Sequence, residues 1–139
     1  MGAESTYKLQ VPASTQQLSL VRDFVTSHAK DYGFPEQEVE EIRLAVDEAM
    51  TNVIKHAYRF DESKTVFITL GKQKKEFWVA IQDKGDAFDI TAYKEPDVSE
   101  RVKLGLKGGV GVFLIRKLMD KVEYSRKNAH NEIKMTKKL

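Results

Sequence analysis

The 139-residue chain reads as an α+β protein: one two-layer sandwich in which a mixed, mostly antiparallel sheet is covered on one face by helices. Three observations predict this. Two long segments near the start space their apolar residues by three and four. Four of the five short strand-like segments fall into two hairpin-like pairs, and the fifth opens the chain. No Pro-, Gly- or Ser-rich linker divides the chain, so residues 1–139 are expected to form one domain.

The elements follow in order. TYKLQVP, Thr6 to Pro12, alternates Tyr7, Leu9 and Val11 and predicts a strand. A helix is expected from Ser14 to about Asp31, with Leu18, Val21, Val25 and Ala29 on its apolar face and Ser14 or Thr15 as N-cap. Gly33 is placed at C′, and Pro35 at the first position of a second helix running to about Tyr58. Glu36, Glu38, Glu40 and Glu41 lie near the positive end of that helix. Residues 65–70 and 77–82 are expected to be hairpin strands, the second (FWVAIQ) apolar on both faces and so interior. From residue 86 to about 109 the pattern fades, and a stretch this long suggests a functional lid. A short helix (112–119) and two closing strands (121–125 and 132–137) complete the order β-α-α-β-β-loop-α-β-β.

Composition narrows the function. Apolar residues make up 41% and charged residues 32%, as in a globular protein, and a net charge of only +2 gives little support to direct nucleic-acid binding, which is not expected. The chain has no cysteine, which excludes disulfides, thiolate metal sites and a thiol nucleophile, and suits a reducing cytoplasm. No run of 18 apolar residues predicts a membrane span, and the first residues lack the apolar stretch of a secretory signal.

Three stretches carry possible chemistry. In EIRLAVDEAMTNVIKHAY, Glu48, Asn52 and His56 recur at intervals of four, beside the small residues Ala45, Ala49 and Ala57. Taken alone this is a solvated helix edge. Read as a site, the amide of Asn52 is a hard oxygen ligand suited to Mg²⁺, and Glu48 can orient or deprotonate a nucleophile near a phosphoryl group. Asp83-Lys84-Gly85 closes the interior strand. It is an ordinary turn, or a nucleobase reader whose carboxylate accepts from adenine's amino group and repels guanine's carbonyl, with Gly85 letting the base approach backbone. Gly105-Leu106-Lys107-Gly108-Gly109-Val110-Gly111 opens a helix, as a phosphate cradle does, although glycines are common in loops. It matches neither a Walker A motif nor a dinucleotide fingerprint.

Together, EAMTNVIKHA, DKGDAFD and GGVGVFLIRKLMD resemble, in order and spacing, the N box and the two glycine boxes of the GHKL ATPase superfamily. Within it the chain is similar to the small serine/threonine kinases of the RsbW and SpoIIAB type, which act as anti-sigma factors. The likeness extends over nearly the whole chain, including NEIKMTKKL at its end. It implies the Bergerat ATP-binding fold, ATP and Mg²⁺ as cofactors, and an ATP lid at about 86–111. It implies that Glu48 is the catalytic base toward the acceptor serine, and that Asn52 holds Mg²⁺ against the phosphates. Asp83 would read adenine with Gly85 behind the base, and Gly109 and Gly111 would hold the phosphates. The implied partners are an anti-anti-sigma protein of the STAS type and a sigma factor, with the kinase working as a homodimer through its first strand and helix.

The chain also departs from that pattern. Lys84 stands where a small or amide residue is common and is assigned to solvent. His130-Asn131 replaces a Gly-Thr or Gly-Asn pair, which puts a nucleotide contact there in doubt. His56 matches an N-box position and is read as scaffold, since no His or Cys set surrounds it. Arg101 falls where some relatives carry a partner contact, and His28 is assigned to its helix end or the surface. The rival function is a nucleotide-gated binding module that regulates a partner without phosphorylating it. Hydrolysis-driven motion of the gyrase kind would need a transducer domain.

Overall fold

The computed structural model describes residues 6–85 and 114–139. Strand β1 (Thr6–Pro12) leads through a 3₁₀ turn (Thr15–Gln17) into helix α1 (Leu18–Tyr32). Helix α2 (Glu36–Asn52) follows and passes directly into a π-helical turn, Val53–Ala57. Strands β2 (Thr65–Gln73), β3 (Glu76–Asp83), β4 (Lys121–Lys127) and β5 (His130–Lys138) complete the sheet. Residues 114–118 are helical. The expected lid, Arg101 and the glycines at 105–111 lie outside the described residues.

The sheet order is β1-β2-β3-β5-β4, and all of its pairings among the described strands are antiparallel. Interior β3 is the strand whose sequence is apolar on both faces. Register aligns whole rungs across the sheet. Tyr7, Leu70, Val79, Met135 and Val122 stand side by side, and so do Leu9, Ile68, Ile81, Ile133 and Tyr124. Period-two alternation points these rungs to one face. Val21, Val25 and Ala29 of α1 and Val39, Ile42, Val46 and Met50 of α2 are buried in the same core. Arg22 of α1 and Asp47 of α2 form a two-bonded ion pair at 3.2 and 3.0 Å between the helices.

Local chemistry accounts for the element ends. Ser14 is extended (φ −133°) and its hydroxyl accepts from the Gln16 N–H at 3.2 Å. The helix it opens starts as a 3₁₀ turn. Gly33 ends α1 in the left-handed region (φ 113°), where its N–H reaches the Lys30 carbonyl. Pro35 sits at the N-cap of α2 in an extended conformation (ψ 159°), one position before the expected one. The hairpins are tighter than expected. Only Lys74 and Lys75 separate β2 from β3, and only Asn128 and Ala129 separate β4 from β5. Asn128 (φ 53°) and Ala129 (φ 63°) are both left-handed, as a twist-matched two-residue turn requires.

The second helix departs most from expectation. Regular α geometry stops at Asn52, and the Tyr58 N–H bonds back five residues to the Val53 carbonyl at 2.9 Å. The Phe60 N–H then reaches the Ile54 carbonyl at 2.8 Å, with Arg59 (φ 49°) and Phe60 (φ 61°) left-handed. The chain turns off α2 with no glycine to announce it.

Candidate nucleotide site

The third rung of the sheet is polar. Alternation that buries Val79 and Ile81 carries Asp83 to the same face. The same parity brings Asn131 in beside Ile133, and Arg126 in beside Tyr124. Asp83, Asn131 and Arg126 are direct cross-strand partners, and Asp83 and Asn131 are only 4% and 3% exposed. Such groups need partners. Asp83 Oδ1 accepts from the Gly85 N–H and from Asn131 Nδ2, each at 2.8 Å. Asn131 Nδ2 also donates to the Gly85 carbonyl at 3.3 Å. Its Oδ1 accepts from the Tyr124 hydroxyl and from Arg126 Nη1, both at 2.7 Å. Arg126 Nη1 lies 3.1 Å from the Gly85 carbonyl as well.

Asn131 is thus saturated and rigidly held, and it fixes Asp83 through one oxygen. Oδ2 of Asp83 is the carboxylate oxygen that this network leaves over. Burial pushes the Asp83 carboxyl above the ordinary aspartate range, while the bonds from Asn131 and Gly85 and the Arg126 charge pull the other way. An oriented acceptor set in a largely dry wall suits a ligand that brings its own donor.

Opposite this wall stands the end of α2. Ala49, Asn52, Val53 and Ala57 face Asp83, Tyr124, Asn131 and Ile133 across a narrow cleft. Small and apolar side chains with a few convergent polar groups line it, the composition of a small-molecule site. Asn52 is 9% exposed, and its Nδ2 is buried without a hydrogen-bond partner among the described residues. An orphaned buried amide costs about 1–3 kcal/mol. A half-turn about its last torsion exchanges nitrogen for oxygen, so the position can offer a donor or a ligating oxygen. With Oδ2 of Asp83, it is a group of the cleft whose bonding a ligand can complete.

Gly85 has a steric reason to be glycine. A Cβ there would lie 2.2 Å from the Ala57 carbonyl oxygen and 2.9 Å from Tyr58 Cδ1. The π turn drives its backbone against the end of β3, and Tyr58 locks the contact. Its hydroxyl accepts from the Lys84 N–H and donates to the Thr65 carbonyl, both at 2.7 Å. The space a side chain would need at 85 is already filled by the chain. Lys84 lies over the Phe67 ring, 5.7 Å from its centroid.

The polar stripe divides. Asn52 lines the cleft, while Glu48 and His56 are half-buried and outside its walls. Burial first, and the neighbouring Asp47 carboxylate second, raise the Glu48 pKa above the ordinary glutamate value. His56 is held below the ordinary imidazole value by burial and by Lys55. His28 stacks on Tyr7, with ring centroids 4.2 Å apart, and packs on the Phe24 edge at 5.3 Å. Among the described residues no cluster of three His, Cys, Asp or Glu side chains could hold a metal by itself. A cation that arrives with its own phosphate ligands needs only one or two protein ligands, and Asn52 can supply one. Gly109 and Gly111 lie outside the described residues.

Asn131, Tyr124, Arg126 and Tyr58 are site residues that the sequence reading missed. His130-Asn131 had read as a doubtful contact, and the structure puts Asn131 at the centre of the polar rung. Its parity with Ile133 and Met135 was a usable signal, but only once β5 is known to pair with β3.

Residues 11–137 match the histidine kinase-like ATPase domain family. The serine-protein kinase RsbW of Halalkalibacterium halodurans is 36% identical over 122 residues, covering 85% of this chain and 74% of that protein. RsbW of Bacillus subtilis is 32% identical, covering 83% and 74%, and RsbW of Staphylococcus aureus is 32% identical, covering 96% and 87%. In fold, the chain is similar to a crystal structure of the RsbU and RsbW domains of Rv1364c from Mycobacterium tuberculosis. The TM-score is 0.65 at 13% identity, and the match takes in 97% of this chain and 32% of that longer one. The chain belongs to the histidine kinase-like ATPase domain family, in the branch that holds the RsbW serine-protein kinases.

Proposed function

We propose that this protein is an ATP-dependent serine/threonine protein kinase that acts as an anti-sigma factor. It phosphorylates a STAS-type anti-anti-sigma partner and, when that partner is unavailable, sequesters a sigma factor. The observation that carries the reading is the convergence, in one cleft, of a pinned buried carboxylate at Asp83 and an orphaned buried amide at Asn52. The names of the relatives support serine as the acceptor.

In this reading Asp83 Oδ2 accepts from the adenine amino group, and the Asn131 network keeps that oxygen in place. Asn52 ligates Mg²⁺, which supplies positive charge against the phosphates. Gly109 and Gly111 hold the phosphates through backbone N–H groups. Glu48 accepts the proton of the acceptor hydroxyl as its oxygen bonds the γ-phosphorus, and the bond to ADP breaks. A raised pKa brings Glu48 toward the working pH of a general base. Most of the rate enhancement comes from positioning and charge neutralisation.

The reading also assigns a homodimer to the first strand and helix. β1 is an edge strand among the described strands, and Tyr7 on it and Leu20 on α1 are 44% and 50% exposed. Light scattering after Leu20→Glu should give a monomer, and an unchanged mass would remove that assignment. Among the described residues no helix is long and apolar enough to cross a membrane, and the proposed work is cytoplasmic.

The deciding experiment is incubation with γ-labelled ATP, Mg²⁺ and a STAS-domain partner. Label moves to a partner serine or threonine. Nucleotide binding without transfer would replace the kinase reading with that of a nucleotide-gated binding module.

A further inference from the structure

The polar rung of the sheet has a direction. Each acceptor needs a donor opposite it, and two members of the rung can play only one part. Arginine only donates, and a backbone carbonyl only accepts. Arg126 Nη1 meets Asn131 Oδ1 at 2.7 Å, so the amide must turn its oxygen that way. Its nitrogen then faces the Gly85 carbonyl at 3.3 Å and Asp83 Oδ1 at 2.8 Å. The Tyr124 hydroxyl can serve either polarity, and here it donates to the same Asn131 oxygen at 2.7 Å.

The hairpin puts these groups in line. With Asn128 and Ala129 alone between β4 and β5, Arg126 stands directly opposite Asn131, and Asn131 directly opposite Asp83. Arg126 is exposed, whereas Asn131 and Asp83 are buried. The rung therefore runs from a solvent-facing cation through a buried amide to a buried carboxylate, and both bonds point the same way. Burial favours the protonated Asp83 carboxyl, while the bonds from Asn131 and Gly85 and the Arg126 charge favour the ionised one. Turned over, the amide would present its oxygen to Asp83, and the two could bond only through a proton. A carboxyl that holds a proton can donate, and a donor suits a 6-oxo purine.

We propose that Arg126 and Asn131 are positioning residues that fix base specificity: by holding the Asn131 amide with its nitrogen toward Asp83, they make the wall an acceptor for a 6-amino purine and hostile to a 6-oxo purine. This rests on the nucleotide reading above. Neither residue needs to touch the base. Arg126 acts from the surface, through one rigidly held amide.

The test compares ATP with inosine triphosphate in the full chain, by titration calorimetry with Mg²⁺. The two share sugar and phosphates, so the ratio of their dissociation constants reports the polarity of the wall. A general loosening of the fold lowers both affinities and leaves the ratio alone. Asn131→Asp replaces the NH₂ with oxygen at nearly constant shape, and should cut the preference for ATP about tenfold or more. Arg126→Met removes the pin at the surface and should cut it about three- to tenfold. Arg126→Lys, also donor-only, should restore most of that loss. If Asn131→Asp does not fold, Arg126→Met and its lysine counterpart decide the matter. An unchanged preference in either variant, or a parallel loss of both affinities, would overturn the proposal. A wild-type chain with no preference for ATP would instead overturn the adenine reading beneath it, and that shows before any variant is made.

Discussion

Asp83→Asn probes the cleft with one atom. In the wild type, Oδ1 is occupied by the Gly85 N–H and by Asn131 Nδ2, each at 2.8 Å, and Oδ2 is left for the ligand. An asparagine keeps both internal bonds by placing its oxygen at the Oδ1 position. Its NH₂ then replaces Oδ2, and a donor faces the donor of adenine. The lost bond is one to a charged group, worth about 1.5–3 kcal/mol, so the ATP dissociation constant should rise about 10- to 150-fold. A nucleotide with a 6-oxo group should gain, because its acceptor now meets a donor, and the preference for ATP over inosine triphosphate should shrink by more than the ATP loss alone. Titration calorimetry with both nucleotides measures this. Stability supplies an internal control. The Asp83 carboxyl titrates above its unfolded value, so the folded chain binds more protons than the unfolded one just above the ordinary aspartate range, and wild-type stability falls as pH rises through that window. The variant lacks that term, so its stability relative to wild type should improve with rising pH. Wild-type ATP affinity in Asp83→Asn would refute the assignment of Oδ2 to adenine.

Three further outcomes are expected. Glu48→Gln should keep ATP affinity within about twofold and lower phosphoryl transfer by about 100-fold or more. Because the base works ionised and its pKa is raised, wild-type transfer should fall on acidification with a midpoint above the ordinary glutamate value, and Asp47→Asn should move that midpoint down. A rate indifferent to both changes would remove Glu48 as base. Gly85→Ala forces a Cβ against the Ala57 carbonyl, where backbone cannot yield, and should cost about 1–3 kcal/mol in urea unfolding together with nucleotide affinity. Unchanged stability would show that the end of β3 is not packed as described. Ala129→Gly relieves a left-handed alanine (φ 63°) and should stabilise the fold by about 0.5–1 kcal/mol, since αL costs an L-residue more than glycine's added entropy. A loss of stability would argue against a turn with both residues left-handed.

Much of this was legible from residue types and spacing. Alternation located β1 and β2, the double-faced apolar character of FWVAIQ placed β3 inside the sheet, and the turn at 128–131 separated the two closing strands. The Gly33 cap was legible because a left-handed C′ position calls for glycine. The end of α2 was not. Residues 53–58 keep an apolar pattern that fits an α-helix or a π turn equally well, and the left-handed pair that follows is Arg59 and Phe60, neither of which signals a stop. What selects the π turn is tertiary: the Ala57 carbonyl packs against Gly85, and the Tyr58 hydroxyl, donating to nearby Thr65, also accepts from Lys84 at the far end of β3.

The sequence by itself determined the composition of the two layers, the parity of every strand and the residue types able to meet a nucleotide. A period of two or of 3.6 is a local property, and it survives in the one-dimensional string. Only the tertiary structure decided which polar residues meet. Asn52 and Asp83 are 31 positions apart, and Asn131 is a further 48 away. Their encounter depends on β5 lying between β3 and β4, and on a register in which Asp83, Asn131 and Arg126 share a rung. Register is fixed by burying the apolar rungs beside it, since a slip of one residue would turn Ile81 and Ile133 to the solvent.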